Sequence, residues 1–399
     1  MSLQVSSYIA VVEIMAINKS TKQIEKSIVI SKDNIKELMF EINIMYGTPS
    51  LQMAFNDISN FFSGQYVADF DLYVKVNAIG KEYAPTVSPV LKIVSWNMMS
   101  SGIVVINLAV SPLYMTLLRD NTLKVYPKTN PLTNIYSDVI TRNNGNPQIS
   151  NFFGFETLSK DIIQCDDSLS FIKNTLLPLS YSNSLQHNYF KFMTGESVFF
   201  LTPCMLSSKP SFRVIMGTKV GAYADEGEKT IYTTEWSDTF SYRFSDNTQF
   251  PTFFDYDTKT GTFTKKEFTK SMLNFTNLKS FNYNNLNPYN QELIDTPKRM
   301  KEYQTIEEFN QNFGITIYTP INAVFQPNVN YYFDTRISKD TKANAFYNGN
   351  VWVYSVAHYF VNHGETNQAT TILKGVMNSH NMTTTQIVEA KVNGEGYTV

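Results

Sequence analysis

The sequence predicts a mainly β chain with two strand-rich blocks and a mixed α/β segment between them. Three observations predict it. Aromatic residues fill 14% of the 399 positions, mostly as Phe (29) and Tyr (24), and such rings suit pleated, half-buried surfaces. Short runs rich in β-formers follow one another at regular spacing near both ends of the chain, as in a barrel or sandwich. Between these blocks, two stretches switch to a helical period.

The first third reads as strands. SYIAVVEIMAI, QIEKSIVIS, IKELMFEINIMYG and ADFDLYVKVNAIG are β-rich runs parted by polar turns, the third of them leading into Tyr46-Gly47. PVLKIVSWNMMSSGIVVINLAVSP reads as two strands across a Ser-Ser-Gly turn. The composition then changes. In NPLTNIYSDVITRN, Thr133 is an N-cap candidate for a short amphipathic helix carrying Ile135, Val139 and Ile140. A second helix is expected over DDSLSFIKNTLLPLS, capped by Asp167 or Ser168. Leu169, Ile172, Leu176 and Leu177 share its apolar stripe, and Pro178 should stop it. NYFKFMTGESVFFLTP is a hairpin turning at Thr194-Gly195-Glu196. KPSFRVIMGTKVGAY and KTIYTTEWSDTFSYRF return to strands. Residues 246–311 are rich in Asn, Thr and Phe with little regular pattern and a basic run at Lys298–Lys301. Strands resume at GITIYTPINAVFQPNVNYYFDTRI, and the last residues form a polar, Gly-containing tail.

Charge narrows the function. Charged residues are only 17%, against roughly 25% in ordinary soluble domains, so polar uncharged residues or a partner chain must cover the surface. The formal net charge of −2 leaves no basic excess to bind nucleic acid by counterion release. Cys165 and Cys204 are too few for a disulfide framework or a cysteine zinc site and read as free thiols. No basic and apolar leader opens the chain, and its longest apolar runs fall far short of the roughly 20 residues of a membrane span. A soluble product made in a cytoplasm is expected.

The stretch GNVWVYSVAHYFVNHGETNQATTILKGVM tests whether there is a site. It holds His358, His363 and Glu365, which invite a metal or hydrolase reading. In an extended chain, side chains five apart face opposite sides, and no third ligand stands near. Alternation places Val351, Val353, Ser355, Ala357, Tyr359 and Val361 on one face, with Trp352, Tyr354, Val356, His358 and Phe360 on the other. Both faces are apolar, so the stretch reads as wall. DYDTKTGTFTKKE starts like a calcium loop, but Thr260 and Lys266 stand where Gly and a bidentate Glu are needed, and a hairpin is preferred. His187 and His380 lie in polar loops, while Asp166-Asp167 and Glu307-Glu308 begin apparent helices, where the dipole accounts for them. No nucleophile elbow, phosphate loop or dinucleotide fingerprint is present. No catalytic, cofactor-binding or metal-ligating residue is assigned, and no cofactor is expected.

Three stretches carry a family resemblance. They are IVISKDNIKELMFEINIMYGTPSLQMAFND, then VSWNMMSSGIVVINLAVSPLYMTLLRDNTLKVYPKTNPLTNIYSDVI, and the closing PINAVFQPNVNYYFDTRI with NVWVYSVAHYFVNHGETNQATTILKGVM. In order and spacing they resemble the central baseplate hub of contractile-tailed phages, the late control protein D and VgrG hub-like family, in its stand-alone form without a fused needle. Asn328 stands where the family has Gly after a proline, a position where Asn tolerates positive φ.

The resemblance implies two related antiparallel β-barrels per chain, tail-tube-like, plus a mixed α/β elaboration. The first barrel would take 1–118 and the insertion 119–205. The second would combine 206–245 with 312–380, leaving 246–311 as an inserted subdomain and 381–399 as the tail. It also implies a homotrimer that adapts a sixfold tail tube to a threefold central spike. Tail tube proteins, the spike and other baseplate proteins would be its partners in a virion, and DNA would pass through without specific binding. A receptor- or carbohydrate-binding tail-tip protein is the competing expectation, and a cell-wall hydrolase lacks a catalytic pair.

Overall fold

In the computed structural model the described residues are 9–62, 69–80, 90–149, 161–180, 189–204, 211–216, 230–233, 237–242, 252–257, 262–267, 313–320, 325–334, 349–362 and 367–377. The alternating runs of the first third become seven strands. They are β1 (Ile9–Asn18), β2 (Ile24–Ile30), β3 (Ile35–Asn43), β4 (Thr48–Asn56), β5 (Phe70–Gly80), β6 (Val90–Met98) and β7 (Ile103–Val110). Their order in space is β2–β1–β5–β6–β7–β4–β3, antiparallel throughout. The period of two sends Val12, Ile14, Leu38, Leu51, Val74 and Ile106 to one face, where they close a core. Gly102 at φ 78° makes the expected turn between β6 and β7.

The middle of the chain forms the mixed unit. α1 (Pro112–Arg119) starts on a Ser111 cap with Pro at its first position, and Ser111 Oγ accepts the Tyr114 N–H. β8 (Lys124–Tyr126) precedes α2 (Leu132–Arg142), β9 (Asn146–Ile149) and β10 (Ile162–Gln164). α3 (Ser168–Phe171) runs through a π-helical turn at Ile172–Leu176 into α4 (Leu177–Leu179). β11 (Phe190–Thr194) and β12 (Val198–Pro203) form the expected hairpin, and β9 adds to β12 in parallel.

Two helix details differ from expectation. Pro131, not Thr133, caps α2, and it does so without a side-chain bond. Pro178 does not stop the second helix at once, because the π turn widens the backbone before it and the helix continues to Leu179. The apolar stripe is as expected, with Leu169, Ile172, Leu176 and Leu177 all buried, and Asp167 is the cap, accepting the Ser170 N–H at 2.8 Å.

The last third supplies β13 (Phe212–Met216), β14 (Thr230–Thr233), β15 (Ser237–Tyr242), β16 (Thr252–Asp257), β17 (Thr262–Glu267), β18 (Phe313–Pro320), β19 (Val329–Asp334), β20 (Gly349–Asn362) and β21 (Asn367–Met377). β16 and β17 pair antiparallel, so the calcium-like stretch is a hairpin. The remaining seven run β14–β13–β19–β20–β21–β18–β15. Numbered within each block, both orders are 2-1-5-6-7-4-3, so the chain repeats one strand order.

The repeat extends to single residues. β6 is bulged at Val94 against β7, and β20 is bulged at Tyr354 against β21. Leu91, Ile93 and Trp96 flank the first bulge and meet the first core. Val351, Val353 and Val356 flank the second and meet the core of the second block.

The mainly β class with its mixed α/β insertion is as expected, and two features refine the expected pair of antiparallel barrels. Among the described residues neither block closes. β3 gives its outer edge to β20 instead of β2, which joins the blocks into one 14-stranded sheet. In the second block β13 runs parallel to both β14 and β19.

Candidate functional site at the shared hairpin

The hairpin β20–β21 is where the three parts of the molecule meet. The first half of β20 pairs with β19, from Gly349↔Phe333 to Val353↔Val329. Its second half pairs with β3, from Ser355↔Asn43 to Val361↔Glu37. β21 runs along the opposite edge from Val351 to Asn362. Both edges of β20 are therefore occupied, and the side chains of the hairpin divide among three cores. Val351, Val353, Val356 and Leu373 enter the second block's core, Phe360 and Ala369 the first block's, and Trp352 with Val376 the core of the mixed unit.

The bulge produces this division. Tyr354 is the extra residue between Val353↔Gly375 and Ser355↔Lys374, so Val356 returns to the face of Val353. Strict alternation misassigns Val356, His358 and Phe360 to the Trp352 face. Where β19 leaves and β3 takes over, the backbone stays satisfied: Asn328 N–H donates to Val353 O at 2.7 Å and Ile44 N–H to Tyr354 O at 3.0 Å. Gly375 lies opposite the bulge, where an added Cβ would sit 2.6 Å from the Trp352 carbonyl oxygen.

Polar groups pin the seam. Glu41 of β3 is buried and accepts from Ser355 Oγ at 2.6 Å, Asn43 Nδ2 at 3.0 Å and Lys374 Nζ at 3.4 Å. His358 is 3% exposed, with Nδ1 3.2 Å from Thr371 Oγ1, and burial pushes its pKa down to about 4. Trp352 is fully buried, and its Nε1 donates to Asn328 Oδ1 at 3.1 Å. Asn328 has φ 63°, and its Nδ2 reaches Thr202 Oγ1 at 3.1 Å and Pro203 O at 3.0 Å. Asn thus supplies the positive φ expected of Gly and also ties β12 of the mixed unit to Trp352.

Composition and spacing gave no sign of a second polar cluster in the mixed unit. Arg142 donates to Asp120 at 3.0 Å, Asp138 at 3.1 Å and Gln164 at 3.0 Å. Burial raises the Asp120 pKa, but hydrogen bonds from Ser168, Thr122, Asn143 and Arg142 outweigh it and hold the carboxyl well below its usual range. The network clamps α2 to β8, β10 and the start of α3.

In both clusters the serine hydroxyl that meets a carboxylate, Ser355 on Glu41 and Ser168 on Asp120, is fully buried. Among the described residues no three His, Cys, Asp or Glu side chains are placed to hold a metal ion. No helix among them is long and apolar enough to cross a membrane. Asp166 is exposed, Cys165 is exposed and Cys204 is buried. His187, His363, Glu365, His380, Lys298–Lys301, Glu307 and Glu308 lie outside the described residues, as do most of 246–311 and all of 381–399.

The fold of this chain is similar to that of solved tail proteins. A tail protein from Neisseria meningitidis MC58 matches 94% of this chain and 97% of its own at TM-score 0.54 and 6% identity. The 43 kDa tail protein of prophage MuSo2 from Shewanella oneidensis matches over 93% and 98% at TM-score 0.50 and 9% identity. No family model and no curated protein sequence matches the chain.

Proposed function

We propose that the chain is the structural hub at the tip of a phage tail. There it adapts a sixfold tail tube to a threefold central spike and lines the channel for genome passage. The observation that carries the reading is the internal repeat: two blocks of one strand order, joined through β20 and β3. Three such chains in a ring would present six similar units on one side and three on the other. In this reading 1–118 forms one ring unit, and 206–245 with 312–380 forms the other. The insertion 119–205 packs outside, while 246–311 and 381–399 meet neighbouring tail proteins. Low charge suits a subunit covered by partners, and a net charge of −2 suits a channel that DNA crosses without sticking. The role needs no catalysis or cofactor.

Mass determination of the full chain, alone and with its spike protein, together with imaging of intact tail tips, tests the proposal. A trimer on the tail axis is expected, closing with the spike if not without it. Six copies at the periphery, or a position at a fibre tip, would refute the hub and favour a receptor-binding role.

A further inference from the structure

The contact that joins the two blocks inside one chain leaves an equivalent contact unmade. In the second block β19 pairs with β20 only as far as Val353, and β3 occupies the edge beyond the bulge. In the first block β5 pairs with β6 only over Val90–Lys92, and among the described residues nothing pairs with that edge beyond the bulge. The exposures differ accordingly. Ser355, Ala357 and His358 are 0%, 2% and 3% exposed beside β3. Their counterparts Ser95 and Asn97 are exposed and Met98 is 43% exposed, next to Val94 at 41% and Met99 at 52%. An unpaired edge with apolar residues around it is a template for another strand, and the equivalent bulge at Tyr354 does not keep β3 from pairing beyond it.

The fold also supplies a strand to fill it. The counterpart of β3 in the second block is β15, which among the described residues pairs only with β18. The register transfers residue by residue. Leu51 faces Ala109 as Ile315 faces Gly375, and Phe40 faces Leu51 as Phe240 faces Ile315. His358 pairs with Phe40 across the existing seam, so Met98 falls opposite Phe240, Asn97 opposite Ser241 and Trp96 opposite Tyr242.

We propose that the edge of β6 from Ser95 to Met98 pairs antiparallel with β15 of a second copy of this chain, repeating between copies the β20–β3 seam within each copy. The contact is heterologous, using different surfaces on the two partners, and repetition closes a ring when the rotation between copies divides a full turn. It deepens the hub reading by naming the interface, although its register comes from the repeat alone.

Disulfide capture in the full chain tests the seam. Asn97→Cys and Ser241→Cys are placed on separate chains with Cys165→Ser in both, then mixed and oxidised. The control replaces Ser241→Cys by Thr239→Cys, two residues out of register and beyond disulfide reach. The interchain disulfide is expected to exceed the control by about tenfold. Met98→Lys, which sets a charge on the edge, is expected to weaken association by on the order of tenfold while circular dichroism stays unchanged. An Asn97–Ser241 yield no higher than the control overturns the seam, whatever the oligomeric state. A ring by mass without that disulfide would leave the hub standing. The disulfide in a protein found off the tail axis would keep the seam and sink the hub.

Discussion

The two blocks place different residues at one position of the same bulged strand. One residue before Ile93 in β6 stands Lys92, whose ammonium meets Asp71 at 3.0 Å on a partly exposed surface. One residue before Val353 in β20 stands Trp352, wholly enclosed by the core of the mixed unit. The inner faces match, with Leu91, Ile93 and Trp96 against Val351, Val353 and Val356. The two blocks therefore share what fills each sheet and differ in what covers it. The second block sends Trp352 and Val376 into the core of the α/β insertion, whereas at the equivalent place in the first block Lys92 stays partly exposed.

The largest effect should come from this pair of positions. Trp352→Ala is expected to cost roughly 3–5 kcal/mol, because it opens a cavity and strands the Asn328 amide. Lys92→Ala should cost between about 0 and 1 kcal/mol, as partly exposed ion pairs do. Urea denaturation of both variants measures the difference, and equal losses would break the comparison.

The buried His358 should make the shared wall sensitive to acid. Its folded pKa lies below the unfolded value near 6.5, so the unfolded chain binds more protons in that range. Stability is full above about pH 6.5 and falls as the pH drops towards 4, by roughly 3 kcal/mol in total. The depressed Asp120 and Asp138 carboxyls add their losses only below the usual carboxylate range. Replacing His358→Gln should flatten the profile between pH 6.5 and 4.5. An unchanged slope would show that another group titrates.

Smaller effects follow at the residue opposite each bulge. Gly375→Ala presses a methyl onto the Trp352 carbonyl and the Val351 side chain, at an expected cost of roughly 1–3 kcal/mol. The first block already holds Ala109 there, and Ala109→Gly should cost only about 0.5–1 kcal/mol. Thermal melts distinguish them, and an unshifted Gly375→Ala would mean that the two bulges are alike.

The smallest expected difference is at Asn328. Asn328→Gly keeps the positive φ but loses three side-chain hydrogen bonds, whereas Asn328→Ala loses both. Ala should be less stable than Gly by about 1–2 kcal/mol.

Local chemistry was legible in the sequence. The Ser-Ser-Gly turn, the Thr194–Glu196 turn and the stripe from Leu169 to Leu177 all rest on residues close together in the chain, while the positive φ at Asn328 came from the family resemblance. What escaped depends on distant partners. Pairing of Ser355 with Asn43 joins residues more than 300 apart, and no local pattern specifies it. The bulge at Tyr354 hides among apolar residues on both faces, so strict alternation misassigned Val356. The Arg142 cluster gathers Asp120, Asp138 and Gln164 from separate elements, none bearing a motif.

A three-dimensional reconstruction of the assembled tail tip by electron cryomicroscopy, refined without imposed sixfold symmetry, tests the central claim most directly. It should show the two blocks of each chain at equal radius, alternating around the axis with rotations of about 60° between neighbours. β20 should meet β3 within a chain, and β6 should meet β15 between chains. Blocks at different radii, or copies with no contact between them around the axis, would contradict it.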